Sequence, residues 1–119
     1  MAIHTRISTT KIIEKVSDLC MDANFILNED VLKALTDSYE AEVSPVAKEI
    51  FADLLENAKI AKECRMPICQ DTGVAVIFVE IGIGVEITDG NLYDAINEGV
   101  RRGYKEGFLR KSMVSDPIN

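Results

Sequence analysis

The sequence predicts an α+β fold, in which a helical N-terminal half is followed by a buried strand or hairpin and then by a further helix. Three observations predict this class. Apolar residues recur at helical spacing over about two-thirds of the chain. A nearly continuous run of β-branched and aromatic residues follows at positions 74–81, which is typical of a strand buried on both faces. A last helix is predicted from Leu92 to about Glu106, with Gly107 near its end.

The first two helices are predicted from apolar periodicity and from a start signal. The first helix carries an apolar face made of Ile12, Val16, Leu19, Cys20 and Ala23. The second begins at Asn28, a good N-cap, and its acidic residues at 29 and 30 favour the positive end of the helix dipole. Its predicted buried stripe consists of Val31, Leu32, Leu35 and Tyr39. His4, the only histidine, is expected to lie in a frayed terminus.

The third helix begins at Ser44-Pro45, where an N-cap precedes a proline at the first helical position, and it continues to about Lys62. The pattern breaks before Pro67, because proline disfavours helix in the residue that precedes it. After the predicted strand, residues 85–88 indicate a second strand, and residues 89–91 have turn composition.

Two glycines, Gly99 and Gly103, lie one turn apart on the last helix. Each costs roughly 1 kcal/mol relative to alanine in a helix. The sequence therefore predicts that this helix packs closely against another backbone.

Length and charge restrict the class of protein. The 119 residues suffice for a single domain, 1–119, and we expect a fragment of a longer chain, since no stop signal follows the last helix. The net charge of −7 excludes a basic nucleic-acid interface. The longest apolar stretch is far too short to cross a bilayer, and residues 1–8 lack a signal peptide, so a cytoplasmic protein is expected. Three cysteines without a secretion signal indicate free thiols.

Residues 67–73, Pro-Ile-Cys-Gln-Asp-Thr-Gly, are the most informative stretch for chemistry. A Cys69 thiolate is a soft ligand suited to iron–sulfur clusters and zinc. Gln70 can donate to an oxyanion, and Asp71 can accept from a hydroxyl. Taken alone, these residues fit equally well with a buried, inert cysteine beside an aspartate that caps a turn.

The remaining candidate residues have simpler explanations. Cys64 lies five residues before Cys69, and burial at a helix end explains it better than a ligand role. Cys20 is expected in the core. The basic cluster at positions 101, 102 and 105 is expected to be a solvated helix face, and a role in gathering a dicarboxylate stays open as the alternative.

The stretch PICQDTG followed by VAVIFVEIG resembles the cluster-binding motif of class I fumarate hydratases and of their L-tartrate dehydratase relatives. Residues 56–61 resemble the helix that leads into that motif. Residues 109–117 resemble the segment after the following helix. The resemblance covers about residues 8–119, in the same order.

This resemblance implies a [4Fe–4S] cluster held by three cysteines. Cys69 matches one of them, and the other two lie outside this chain. Gln70 and Asp71 match residues that contact substrate, and Arg110 matches an arginine that binds a substrate carboxylate. The expected reaction is reversible hydration of a C4 dicarboxylate, either fumarate to malate or the dehydration of tartrate.

The resemblance also implies that residues 1–119 are an N-terminal fragment of a longer hydro-lyase chain. Its general base belongs to the missing C-terminal part of the chain or to a beta-type subunit, so the isolated 119 residues should be inactive. The complete enzyme is expected to be an oligomer. Two rival hypotheses remain open: a non-catalytic helical docking module with inert cysteines, and a redox sensor that uses Cys64 and Cys69.

Overall fold

A computed structural model describes residues 4–118, and the predicted α+β class is confirmed. The elements are β1 (Thr5–Ser8), α1 (Thr9–Phe25), α2 (Glu29–Ala41), α3 (Pro45–Cys64), β2 (Val85–Thr88) and α4 (Leu92–Glu106). Two compact units are present, one formed by the described residues up to Met21 and from Asp71 onward, the other by Asp22–Gln70. In the described part of the chain, no helix combines the length and apolar character that crossing a membrane requires.

The sheet of the first unit contains two parallel strands, β1 and β2. Thr5 is paired with Val85 and Ser8 with Thr88. The predicted strand at 85–88 is therefore confirmed. Thr5–Ser8, which directly follow His4, gain this ladder partner from residues that lie 80 positions away in sequence.

The predicted buried strand at residues 74–81 is wrong for this chain. These residues are not part of a ladder with any described residue, and every one of them is exposed. Phe78 is 94% exposed. A strand forms only where a neighbouring strand supplies hydrogen-bond partners. The described residues contain no strand that pairs with residues 74–81. The alternative of a hairpin is also wrong, because β2 pairs with β1.

The first unit contains the predicted close contact of α4. A Cβ added to Gly99 would lie 2.6 Å from Val16 Cβ and 2.9 Å from the carbonyl oxygen of Ile13. A Cβ added to Gly103 would lie 2.8 Å from the carbonyl oxygen of Ser17. Both distances are shorter than van der Waals contact, so the two glycines let α4 approach the α1 backbone. The helix begins at Asn91, whose side chain caps two backbone N–H groups.

In the second unit, α2 packs against α3. The buried apolar residues of this unit are Phe25, Ala58, Ala61 and Ile68. The predicted buried stripe of α2 is wrong, because no residue of that helix is buried and Val31 is 43% exposed. A groove of about 700 Å³ in this unit is lined in part by Leu32, Leu55 and Ala58, so Leu32 of the predicted stripe lies at its wall.

Candidate functional site

The Cys69 loop begins where α3 ends. Cys64 is the last helical residue, and Arg65 adopts the left-handed conformation with φ 49°. The N–H of Met66 then donates to the carbonyl oxygen of Ala61 at 3.0 Å, which satisfies an orphan carbonyl of the last turn. Arg65 also lies over the Phe25 ring, with 5.5 Å between the guanidinium carbon and the ring centroid. The chain thus leaves the helix in a defined direction.

Two hydrogen bonds fix the backbone before the cysteine side chain. The N–H of Ile68 donates to the carbonyl oxygen of Asn24 at 2.9 Å, and the Ile68 side chain is buried. The N–H of Cys69 donates to Asn57 Oδ1 at 3.0 Å. Cys69 itself is exposed, so the alternative of a buried cysteine is wrong. The loop presents an accessible thiol on an anchored backbone.

The other two cysteines differ in their surroundings. Cys64 is exposed at the end of α3, so the expected helix-end burial is wrong. Cys20 is half-buried, and this burial raises the pKa of its thiol. All three cysteines lie in the described part of the chain, and none forms a disulfide there.

Gln70 is the last residue of the second unit. Its N–H donates to the carbonyl oxygen of Ile68 at 2.8 Å, which closes a tight turn around Cys69. Its carboxamide is on an exposed residue and is sterically available to a ligand. Asp71 follows directly in sequence and belongs to the first unit.

Asp71 accepts two hydrogen bonds on the same carboxylate oxygen. The Ser112 hydroxyl donates to Oδ1, and the N–H of Gly73 donates to Oδ1 at 3.0 Å. The Ser112 bond is the main cause that holds the pKa of Asp71 below its usual value, with the Gly73 N–H and the charge of Arg110 acting in the same direction. Asp71 is therefore a carboxylate at neutral pH, and a carboxylate has acceptor capacity left for a further donor.

A second chain of hydrogen bonds, within the first unit, connects Thr72 to Arg110. The Tyr104 hydroxyl donates to the carbonyl oxygen of Thr72. The Thr72 hydroxyl donates in turn to the carbonyl oxygen of Arg110 at 3.0 Å. Thr72 and Tyr104 are both buried, and burial is the main cause that raises the pKa of the tyrosine. The backbone at Arg110 is thus held to the residue that directly follows Asp71.

The end of α4 directs Arg110 outward. Phe108 adopts the left-handed conformation with φ 55°, and the N–H of Leu109 donates to the carbonyl oxygen of Tyr104 at 3.0 Å. Leu109 is buried, so the following residue points toward solvent. Arg110 forms no salt bridge with any residue in the described range 4–118. Its guanidinium is available for an external anion.

Gly73 allows the turn after Asp71 to approach the segment that follows α4. A Cβ at this position would lie 2.2 Å from Ser112 Oγ and 3.0 Å from Met113 Cγ. A side chain would displace Ser112 from Asp71. The glycine of the motif therefore serves close approach between the loop and the segment after α4.

Four residues that support the site were not predicted as functional: Asn57, Thr72, Tyr104 and Ser112. Asn57 offers a signal in hindsight, because asparagine is a poor residue for a helix interior and here its side chain accepts from the Cys69 backbone. The roles of Tyr104 and Ser112 could not be read from local sequence, because their partners lie 32 and 41 positions away.

The basic cluster on α4 is a solvated face, as predicted. Arg101 and Arg102 both pair with Glu98, at 2.6 Å and 2.7 Å. The hydrogen bond from Arg101 is the first cause that lowers the pKa of Glu98 to about 2. Both arginines are paired with a carboxylate of their own helix, which distinguishes them from Arg110.

Comparison with known proteins decides the family. Residues 13–119 match the fumarate hydratase (Fumerase) family. The chain belongs to that family. This match includes the Cys69 loop, Asp71 and Arg110, and it confirms the resemblance predicted from the motif.

Individual relatives of this fumarate hydratase family chain are longer proteins. It is 37% identical over 105 residues to a Methanocaldococcus jannaschii protein whose name describes an alpha subunit of L(+)-tartrate dehydratase, covering 87% of this chain and 37% of that protein. It is 26% identical over 114 residues to the L(+)-tartrate dehydratase subunit alpha of Escherichia coli K12, covering 94% of this chain and 37% of the relative. A Geobacillus stearothermophilus protein named as a class I fumarate hydratase is 29% identical over 105 residues, covering 87% of this chain and 20% of that protein.

The donor set of this chain fits one corner of an iron–sulfur cluster. No group of three or more His, Cys, Asp or Glu side chains within residues 4–118 is arranged to hold a metal ion. Cys69 is exposed and its thiolate is the soft donor that such clusters require. Among the described residues, the exposed Cys69 is thus chemically able to supply one ligand to such a cluster.

Proposed function

We propose that this chain is part of a [4Fe–4S]-dependent hydro-lyase that adds water to, or removes it from, a C4 dicarboxylate. The family match over residues 13–119 supports the reaction class. The single structural observation that carries the cofactor assignment is the exposed Cys69 thiol on a backbone anchored by Asn24 and Asn57. The named relatives favour fumarate, malate or tartrate as the substrate.

Cys69 would hold one iron of the cluster, with the other two ligands supplied from outside this chain. When bound, the cluster supplies a Lewis-acidic iron that activates the substrate hydroxyl as a leaving group. The anchored loop lowers the conformational freedom that Cys69 loses on binding, because its N–H and that of Ile68 are already hydrogen-bonded.

Arg110 would bind a substrate carboxylate through its planar guanidinium, which meets a carboxylate with two parallel hydrogen bonds. The chain has a net charge of −7, so a dianionic substrate depends on a local cation. Arg110 is such a cation, because it is exposed and has no salt bridge among residues 4–118.

Asp71 would accept a hydrogen bond from a substrate hydroxyl, and Gln70 would donate from its carboxamide. The lowered pKa of Asp71 keeps it an acceptor at neutral pH, so it is not the group that donates a proton. We assign the general base to the part of the enzyme outside this chain.

The proposal further places this enzyme in the cytoplasm, as an oligomer completed by a C-terminal part of the same chain or by a beta-type subunit. The alpha-subunit names of two relatives support a second subunit. The chain covers 37% of each of those relatives, which is consistent with a function that needs further polypeptide.

The test compares the isolated 119 residues with the same chain completed by its missing part, both reconstituted anaerobically with iron and sulfide. We expect visible cluster absorbance and turnover of malate or tartrate only in the completed enzyme. Turnover by the isolated chain would contradict the assignment of the missing ligands and base. A completed enzyme that binds no iron would contradict the hydro-lyase proposal itself.

A redox sensor is the second candidate, because Cys64 and Cys69 are both exposed in the same unit. Thiol titration before and after mild oxidation of the isolated chain separates the two functions. A reversible loss of two thiols that Cys64→Ser abolishes would favour the sensor. Unchanged thiols would favour the hydro-lyase.

A further inference from the structure

Residues 74–83, called here the apolar segment, form the most exposed apolar stretch of the first unit. The segment contains Val74, Val76, Ile77, Phe78, Val79, Ile81 and Ile83, all of which are between 40% and 108% exposed. Glu80 is its single charged residue. A continuous apolar run of this kind on a surface marks an interaction site.

Exposure alternates along the segment with the period of a β-strand. Ile77, Val79 and Ile81 are 40–51% exposed, whereas Val76 and Phe78 are 72% and 94% exposed. Residues 77–81, Phe78 among them, line an apolar groove of about 310 Å³ whose other walls include Val16, Ile87 and Ile96. The side chains of Ile77, Val79 and Ile81 are partly covered by their own unit, whereas those of Val76 and Phe78 are largely exposed.

The backbone of the segment is unpaired over eight residues. Within the described range, residues 74–81 form no strand or bridge and no backbone hydrogen bond to another residue. An extended chain with free N–H and C=O groups is a template on which another strand can pair. Backbone hydrogen bonds would supply affinity, and pockets for alternate side chains would supply specificity.

The lengths of the relatives indicate which polypeptide covers this edge. This chain spans 37% of the two alpha-type relatives, so most of an alpha-type subunit is not represented in it. A second copy of this chain is a weaker candidate, because each copy carries a net charge of −7 and the two would repel. The segment itself adds only Glu80 to that charge, so its own surface suits an apolar strand.

We propose that the apolar segment is the docking edge for a β-strand from the part of an alpha-type subunit that lies outside the matched region. The inference rests on the proposed function in so far as that function requires an alpha-type remainder. On docking, residues 74–81 become a paired strand, and Val76 and Phe78 become buried beneath the added polypeptide.

The experiment joins this chain to the portion of the Methanocaldococcus jannaschii alpha-type relative outside its 105 matched residues, and follows amide hydrogen exchange. We expect exchange at residues 74–81 to slow by at least about tenfold relative to the isolated chain, since hydrogen-bonded amides exchange only on opening. Exchange in the joined protein that equals that of the isolated chain would overturn the proposal, whether or not the added portion folds.

Two variants make the test specific. Phe78→Lys should leave the urea midpoint of the isolated chain unchanged, because the side chain is 94% exposed there, but should remove the protection in the joined protein. Val43→Lys is the matched control, because Val43 is 92% exposed and lies in the other unit, and it should preserve the protection. Protection that survives Phe78→Lys would contradict the proposal.

The remaining outcomes separate this inference from the hydro-lyase function. Protection that appears in the isolated chain at high concentration, together with a dimer in sedimentation, would assign the edge to a second copy and overturn the proposal. Protection in a joined protein that binds no iron would support the docking edge while contradicting the cluster assignment. The two proposals therefore fail by different measurements.

Discussion

The hydroxyl of Thr72 donates a 3.0 Å hydrogen bond to the backbone carbonyl oxygen of Arg110. This bond connects the turn after Asp71 with the segment that follows α4, and both lie in the same unit. Because the Tyr104 hydroxyl donates to the carbonyl oxygen of Thr72, the connection extends into the buried part of the unit. The position of Arg110 thus depends on a residue 38 positions before it.

Replacing Thr72 by valine should destabilise the chain by about 1 kcal/mol, because a buried hydroxyl and its hydrogen bond are lost while the side-chain shape is kept. Thr72→Ser retains the hydroxyl and should recover most of that stability. Urea unfolding of both variants measures the difference. Equal loss in both would mean that the methyl group, rather than the hydrogen bond, matters at this position.

Arg110→Lys should lower kcat/KM of the completed enzyme by roughly 10- to 1,000-fold, because the charge stays but the bidentate fork is lost. Cluster content should not change. Arg101→Lys is the matched control, since Arg101 already pairs with Glu98, and its kinetics should be normal. Near-normal kinetics for Arg110→Lys would remove Arg110 from the substrate site.

Cys69→Ser should abolish the intact cluster in the completed enzyme, whereas Cys64→Ser should retain it. Both thiols are exposed, so accessibility alone does not distinguish them. The distinction lies in the Cys69 backbone, which is held by Asn57. Iron content and electron paramagnetic resonance measure the result. Equal cluster loss in the two variants would show that Cys64 is also a ligand.

Gly99→Ala should destabilise the isolated chain by about 1–3 kcal/mol, because a new Cβ would overlap Val16 and the α1 backbone. Helix propensity alone predicts the opposite sign, a gain of roughly 1 kcal/mol. Gly82→Ala is the control, because its Cβ would lie at an ordinary 3.8 Å from Val85. Thermal unfolding measures both, and a stabilised Gly99→Ala would mean that α4 moves away at little cost.

Protonation of Glu98 should lower the stability of the folded chain as the pH falls from 4.5 to about 2. Its pKa is lowered from 4.5 to about 2 by Arg101 and Arg102, so the folded state favours the carboxylate. The stabilising contribution is complete above the unfolded pKa and is lost as pH falls through the folded value. Glu98→Gln should reduce the difference in urea midpoint between pH 5 and pH 2. An unchanged difference would show that the ion pairs have no net effect.

Local sequence was sufficient for α3 and α4. Ser44-Pro45 marks the start of α3, and the N-cap Asn91 comes directly before α4. These signals act over one or two turns, so they are readable without tertiary structure. The soft donor character of Cys69 is likewise readable from sequence, because it belongs to the thiolate itself.

The sequence by itself thus determined the α+β class, the family motif and the helix boundaries that rest on capping and periodicity. Only the tertiary structure decided that Thr5–Ser8 pairs with Val85–Thr88, that residues 74–81 lie unpaired on the surface, and that Ser112 and Thr72 support Asp71 and Arg110. The physical reason is the range of the interactions. The partners of β1, of the Thr72 hydroxyl and of Asp71 lie 38 to 80 positions away in sequence. Local composition contains no information about which distant residue becomes the partner.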